Sequence, residues 1–409
     1  MEENETNPPS AAEPELSIEK WVYGGDGLGR LEGRAVLVPF TLPGETVRVS
    51  ILRKKPGLLE AALREVLAPA PERVKPDCPV FGRCGGCQYQ HAAYEAQIAW
   101  KRDVLREALR RIGKLEPPED IGIIPSPPWG YRNRTQLHLA DGRIGYLEAG
   151  THRLCPVDRC PISSPRINEA LRALRGLMGS ARFPRFVRSL ELFTNESQVQ
   201  LNVLRTQRPV ARSFFEWCAE QIPGAAEGSL EYPAAGFLYR VSHQSFFQVN
   251  RYLIDPLIEC ALGEAQGETA LDLYAGVGLF SLPLSRRFHS VTAVESSAAA
   301  ARDLEFNTAR AGLELTAVRS PVERFLGNLE IGPDFALADP PRSGLGKVVV
   351  RELLRLAPRC VVIVSCDPST LARDVAPLIA GGYRIDRLTL VDLFPQTYHI
   401  ETVVRLRSG

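Results

Sequence analysis

The chain has 409 residues, 44% of them hydrophobic and 24% charged, with 33 glycines, 32 prolines and a formal net charge of +1. That length suggests about two to three domains, and the composition excludes a wholly disordered, collagenous or coiled-coil chain. No apolar run approaches the roughly 18 residues of a membrane helix, and residues 1–15 carry five Glu and no basic residue, unlike a secretory signal. The acidic head therefore reads as a disordered tail, the compartment as the cytoplasm, and a membrane is not expected as a partner.

From residue 16 to 67, short runs at strand period (Trp21–Tyr23, Arg34–Phe40, Thr46–Leu52, Leu63–Leu67) alternate with Gly24-Gly-Asp-Gly-Leu-Gly and Pro43-Gly44 turns, which predicts a small antiparallel β-barrel. Cys78, Cys84 and Cys87 follow, and His91 to Ile112 reads as an amphipathic helix ended by Gly113. Pro117 to Pro128 reads as a linker. Residues up to 240 look mixed, with strands such as Thr135–Leu139 and Gln198–Leu204. From Arg166 to Arg212, nine Arg face three Glu, a local excess suited to phosphates within a neutral chain.

Beyond about 250 the rhythm becomes strand, helix, strand: Ala270–Leu273, Val291–Val294, Phe335–Ala338 and Cys360–Ser365 are each separated by helical stretches. This predicts a doubly wound, mostly parallel sheet of Rossmann type. The expected domains are a tail (1–15), a barrel (16–67), a central α+β domain (68–240) and an α/β domain (241–409).

In Leu271-Asp-Leu-Tyr-Ala-Gly-Val-Gly-Leu-Phe280, a strand runs into a glycine turn and then a helix, so bare backbone at Gly276 can approach a ligand. Glu295 closes the next strand, where a carboxylate suits a ribose diol. The turn lacks the third glycine of a dinucleotide fingerprint, which favours a nucleoside such as S-adenosylmethionine over a nicotinamide cofactor. Asp339-Pro-Pro-Arg342 follows another strand, and its proline pair fixes the backbone so that Asp339 faces the same crevice.

Cys366 ends the strand Val361–Ser365, with a helix expected from Pro368 whose N-terminus favours a thiolate. In Phe394-Pro-Gln-Thr-Tyr-His-Ile-Glu401, His399 and Glu401 sit two apart and share a face when extended. A thiol nucleophile, a carboxylate base and a methyl donor together suit C5 methylation of a pyrimidine, whose ring carbon becomes nucleophilic only after a thiolate adds at C6. His399 reads as orienting the loop. The spacing Cys78-x5-Cys84-Gly-Gly-Cys87, with Cys160-Pro161 further on, suits an iron-sulfur cluster, zinc or plain thiols.

Taken together, Ser245-Phe-Phe-Gln-Val-Asn250, Leu271 to Gly278, Asp339-Pro-Pro-Arg342, Ser365-Cys-Asp-Pro368 and His399-Ile-Glu401, in that order, resemble the RNA uracil-5-methyltransferases, in particular the bacterial 23S ribosomal RNA branch. Tyr23-Gly-Gly-Asp-Gly-Leu-Gly-Arg30, Val38-Pro-Phe40 and Leu42-Pro-Gly-Glu-Thr-Val47 resemble the RNA-binding TRAM domain. The resemblance implies Cys366 as nucleophile and Glu401 as base. It implies a cofactor site for S-adenosyl-L-methionine lined by Gln248, Tyr274, Gly276, Glu295 and Asp339, and a 4Fe-4S cluster on Cys78, Cys84, Cys87 and Cys160, with Cys155 the rival for the fourth place. It implies RNA as partner, 23S rRNA first, with no obligate protein partner, and a helix 91–112 packed on the catalytic domain. Leu279 and Ser320 depart from the family's polar residues there. Transfer RNA as substrate and a non-catalytic RNA-binding protein are the competing readings, and Tyr131-Arg-Asn-Arg134 is a further candidate for RNA contact.

Overall fold

A computed structural model describes residues 13–226 and 228–409. The tail expected at 1–15 lies, up to residue 12, outside the described residues, and a strand already begins at Glu15. The contacts divide the chain into a smaller unit (Met1–Gly82, Cys87–Trp100, Gln396–Tyr398) and a larger one (Arg83–Gly86, Lys101–Pro395, His399–Gly409). Among the described residues, no helix is long and apolar enough to cross a membrane.

The smaller unit is built on strands β1 (Glu15–Trp21), β2 (Asp26–Leu31), β3 (Arg34–Pro39), β4 (Thr46–Lys55) and β5 (Leu58–Ala68), which close into a barrel in the order β1-β2-β3-β5-β4. Alternate residues Leu16, Ile18, Val36, Val38, Val47, Val49, Leu59 and Ala61 fill it. Closure depends on glycine in β2: a Cβ at Gly29 would lie 2.5 Å from the Ser17 carbonyl oxygen. Trp21 stacks flat on Tyr89, ring centres 3.7 Å apart, and its indole N–H donates to the Thr41 carbonyl at 2.7 Å, which fastens the barrel to the segment after the cysteines.

Helix α1 (Tyr94–Arg111) is shorter at both ends than the 91–112 expectation. Its second half belongs to the larger unit, where Gly113 ends it: a Cβ there would stand 2.9 Å from the Leu109 carbonyl and 3.0 Å from that of Ala372. The central sheet has the order β12-β11-β10-β7-β8-β9, from strands β7 (Arg134–Ala140), β8 (Arg143–Leu147), β9 (Leu154–Pro156), β10 (Val187–Thr194), β11 (Val199–Thr206) and β12 (Ala225–Ala226). Helices α2 (Pro165–Leu177) and α3 (Arg212–Gln221) accompany it, and a hairpin of β13 (Leu230–Ala234) and β14 (Phe237–Val241) leads on.

The remaining strands form an eight-stranded sheet in the order β17-β16-β15-β18-β19-β21-β20-β6. Its members are β6 (Gly122–Ile124), β15 (Gly267–Leu273), β16 (Phe288–Glu295), β17 (Thr316–Arg319), β18 (Phe335–Ala338), β19 (Cys360–Ser365), β20 (Tyr383–Val391) and β21 (Glu401–Ser408). Helices α4 (Ile254–Leu262), α5 (Ser281–Leu284), α6 (Ala298–Ala311), α7 (Val322–Gly327), α8 (Gly346–Leu356) and α9 (Pro368–Ala380) connect them. All pairings are parallel except those of β21, which runs against both β19 and β20. The strand order reverses between β15 and β18, and at such a switch point the connections part to leave a crevice at the strands' carboxyl ends. Strand β6 comes from the stretch read as a linker and pairs in parallel with β20.

Candidate active site

The crevice is lined by the residues that follow β15, β16, β18 and β19. After β15, Tyr274 takes a left-handed φ of 64° and Gly278 one of 95°; a Cβ at Gly278 would stand 2.8 Å from Leu282 and Leu304, so the turn needs glycine there. At Gly276 a Cβ would meet nothing within 4 Å, which is the open cradle expected beside a ligand. Glu295 ends β16 and fixes this turn: its two oxygens accept the backbone N–H groups of Gly276 at 2.9 Å and Ser297 at 2.6 Å. Asp272 is buried beneath, with one oxygen accepting from the Ser281 hydroxyl and Oδ1 without a partner.

Asp339, after β18, accepts from the Gln248 side-chain amide at 3.2 Å. Gln248 lies on a loop that is itself held: the Asp303 carboxylate accepts from the Ser242 amide and the Ser245 hydroxyl, both at 2.7 Å, the Ser242 hydroxyl at 2.6 Å and the Arg240 guanidinium at 2.8 Å. Leu279 is buried and gives its carbonyl to the Tyr239 hydroxyl, while the Ser320 hydroxyl is turned to the Pro321 carbonyl.

Cys366 and Glu401 come together through strand register. β19 pairs antiparallel with β21, Ser365 opposite Thr402, so the next residues of the two strands, Cys366 and Glu401, face each other at the crevice end. Burial pushes the Cys366 thiol up to about 12, helped by the nearby Glu401 and Asp339 charges and opposed by Arg342. Burial also raises Glu401 well above the usual carboxylate range, with Asp339 adding to the effect, and raises Asp339 to about 7. Asp272 likewise rises to about 7, through burial and the Asp339 and Glu295 charges, against the Ser281 hydrogen bond. His399 is driven down to about 3 by burial and by Arg342, Lys101 and Arg132, so it is neutral; its Nε2 lies 3.4 Å from the Arg342 guanidinium, and its ring stands edge-on to Phe394.

The helix expected after Cys366 begins at Pro368, and its first amides are already engaged. The Asp367 side chain caps α9 and takes the amides of Ser369 at 2.8 Å and Thr370 at 3.1 Å. Of Tyr131-Arg-Asn-Arg134, Tyr131 is fully buried, its hydroxyl donating to the Pro395 carbonyl at 2.9 Å, and Arg134 is spent on the Ser245 carbonyl and Glu191, both at 2.8 Å, which leaves half-buried Arg132, whose charge acts on His399, as the member that can face a substrate.

Sequence reasoning missed what holds the segment before Glu401. Three successive carbonyls there each receive a side-chain donor: Leu393 from Asn250 at 3.1 Å, Phe394 from Lys101 at 2.9 Å and Pro395 from Tyr131. Lys101 also donates to Asp392 at 2.7 Å, both side chains being 1% exposed. The signal was slight: Asn250 closes a motif, but Lys101 looks like any lysine of an amphipathic helix.

The candidate metal ligands lie in both units, Cys78 and Cys87 in the smaller, Cys84 and Cys160 in the larger. Cys84 bridges to Glu148 by backbone, and its sulfur accepts the Gly86 amide at 3.4 Å. Cys160 exchanges backbone hydrogen bonds with the Asn168 side chain at 2.8 and 3.0 Å. Its rival Cys155 is buried on β9 and accepts from Arg83 at 3.4 Å. Among the described residues, no group of three or more His, Cys, Asp or Glu is arranged to hold a metal ion.

The model of the tRNA (uracil-5-)-methyltransferase family matches residues 226–326 and 326–408, and that of the TRAM domain residues 13–63. An RNA methyltransferase of Aquifex aeolicus is 33% identical over 96% of this chain and 97% of its own. Relatives named 23S rRNA (uracil(1939)-C(5))-methyltransferase are 34% identical in Halomonas elongata, over 96% of this chain and 89% of theirs, and 35% in Cronobacter sakazakii, over 93% and 92%. The tRNA (uracil-54, C5)-methyltransferase of Pyrococcus abyssi, solved with S-adenosyl-L-homocysteine, superposes with a TM-score of 0.76 at 27% identity, over 96% of this chain and 99% of its own. With a TRAM barrel at its start and a Rossmann-like methyltransferase sheet carrying this crevice, the chain belongs to the family of RNA uracil-5-methyltransferases.

Proposed function

We propose that the chain transfers the methyl group of S-adenosylmethionine to C5 of a uridine in 23S ribosomal RNA, with Cys366 as nucleophile and Glu401 as base. The observation that carries the reading is the β19–β21 register, which sets a thiol beside a carboxylate at the end of a nucleoside crevice. The open cradle at Gly276, the buried oxygen of Asp272 with no partner, and Gln248 on Asp339 fit the donor groups and positive sulfonium of S-adenosylmethionine. Tyr274 and Glu295 complete that site, Glu295 by holding the turn. Bound there, the cofactor supplies an electrophilic methyl carbon.

In the reaction, the Cys366 thiol gives its proton to water, the thiolate adds to C6 of the uracil, and the electron pair of the C5–C6 double bond moves towards O4 as an enolate. C5 then takes the methyl group as the sulfonium sulfur leaves with its bonding pair. Glu401, as carboxylate, removes the C5 proton; the double bond re-forms and the thiolate departs. A base stacked in a duplex shields C6, so the uridine is unpaired or flipped out. His399, neutral and beside Arg342, orients the segment.

The relatives at 34–35% identity named for 23S rRNA favour that substrate, whereas the solved neighbour acts on tRNA by its name. Both are tested by intact mass of protein incubated with the cofactor and 5-fluorouridine-substituted 23S RNA or tRNA. Fluorine cannot leave C5 as a proton does, so the wild type is expected to stay bonded to the 23S RNA and Cys366→Ala to form no adduct. An adduct with tRNA alone moves the substrate; an adduct that survives Cys366→Ala removes the nucleophile.

A 4Fe-4S cluster on Cys78, Cys84, Cys87 and Cys160 is part of the proposal. Thiolates suit iron, and the Gly86 amide on the Cys84 sulfur is a contact that supports a ligating thiolate. Anaerobically purified protein is expected to hold about four irons and four sulfides. Protein that lacks both and still methylates RNA would leave these thiols without that task.

A further inference from the structure

Where β10 begins and β11 finishes, the central sheet ends in a cavity of about 650 Å³, a size that admits one nucleotide. Its walls carry Arg182, Arg185 and Arg208 with Phe186 and Trp217, and among the described residues lining it there is no Asp or Glu. The Arg182 guanidinium lies over the Trp217 ring at 4.9 Å and that of Arg208 over Phe186 at 4.3 Å. Elsewhere in the arginine-rich segment, Arg166 pairs with Glu169, Arg175 with Asp158 and Arg212 with Glu216, while Arg172, Arg188 and Arg205 lie apart from the cavity. Among the described residues, none of the three cavity arginines makes an ion pair, so half of the segment's six unpaired arginines gather at this one concavity.

The place is remote from the crevice. Strand β10 runs eight residues from Val187 at the cavity to Thr194, and Phe193 near its far end packs its ring 6.0 Å from that of Phe247, the neighbour of Gln248. At about 3.4 Å per residue, roughly 20 Å of strand separates the two ends. Guanidinium planes and ring faces side by side offer stacking to a flat base, and unmatched arginines offer counter-charge to its phosphates.

We propose that this cavity is a second docking subsite for the substrate RNA, taking an unpaired nucleotide that lies outside the target loop. The inference rests on the reading of the chain as an RNA methyltransferase and adds where the RNA is gripped. Arg182 and Arg208 are exposed, so the double variant Arg182→Gln/Arg208→Gln retains the packed core.

The test compares dissociation constants, by filter binding, for a long 23S fragment and for the shortest stem-loop that holds the target uridine. For the variant, binding of the long RNA is expected to weaken by about tenfold, and its salt slope to fall by about 1.4, which is 0.7 for each of two single-strand phosphates. Binding of the stem-loop, and its 5-fluorouridine adduct, should not change. With 4-thiouridine in the long RNA, photo-crosslinks should fall on peptides within residues 181–217. Unchanged affinity for the long RNA, or an equal loss on both RNAs, overturns the subsite. Failure of the wild type to form an adduct with any RNA would instead strike the catalytic reading, which the binding comparison does not use.

Discussion

Burial holds the carboxyls of Asp272 and Asp339 near 7, so both change charge in the neutral range. As the pH rises through that value each becomes negative, and the crevice grows more favourable to a sulfonium. Affinity for S-adenosylmethionine should therefore climb between pH 6 and 8, by up to about tenfold per carboxylate that reaches the ligand. Titration calorimetry checks this, and a flat profile would mean that neither acid feels the cofactor. Glu401 bears on the thiol in the same electrostatic terms. Its charge raises Cys366, so Glu401→Gln should move alkylation of Cys366 by iodoacetamide, followed by peptide mass spectrometry, to lower pH. On the proposed mechanism the same variant should hold the methylated RNA adduct, because a glutamine amide cannot take the C5 proton. That Cys366, Glu401 and Asp339 would meet at one end of the sheet was legible from motifs. What Glu295 does was less so: its position at the end of β16 suggested a ribose acceptor, but both oxygens also take backbone amides, a job set by the turn's path rather than by any local pattern.

Helix α1 and the carbonyls it serves show how an element is tied in. Lys101→Met would leave Asp392 buried without its partner, at a cost of roughly 3–5 kcal/mol. Denaturant unfolding of the larger unit should record that loss, and the double variant Lys101→Met/Asp392→Leu should recover most of it. A single variant as stable as wild type would show that the pair does not matter. In the barrel, Gly29→Ala forces a methyl group onto the Ser17 carbonyl and should cost about 1–3 kcal/mol. Strands with strong alternation, such as β3 and β4, or with a continuous apolar run, such as β19, were readable in the sequence. β6 was not: three residues inside a proline-rich stretch have no period to read, and they become a strand only because β20 offers an open edge.

At the scale of the whole molecule, likeness to known relatives runs over nearly the full length, so the two compact units recur together in the family. The proposed cofactor site lies in the larger of them. Hydrogen exchange with S-adenosylmethionine present should slow at residues 274–278 and at Ser297, and stay unchanged in β1–β5. Protection spread over the barrel would contradict a site confined to the larger unit. The antiparallel place of β21 inside an otherwise parallel sheet could not be read from the sequence, since β-strand alternation does not reveal a partner. It has a consequence for the order of synthesis. β21 leaves the ribosome after both strands that flank it, so β19 and β20 wait with bare edges until it arrives. Glu401 arrives on that same stretch. Until β21 is made, the chain has Cys366 and the crevice but an open sheet and no Glu401, so the site proposed above is complete only once β21 has paired.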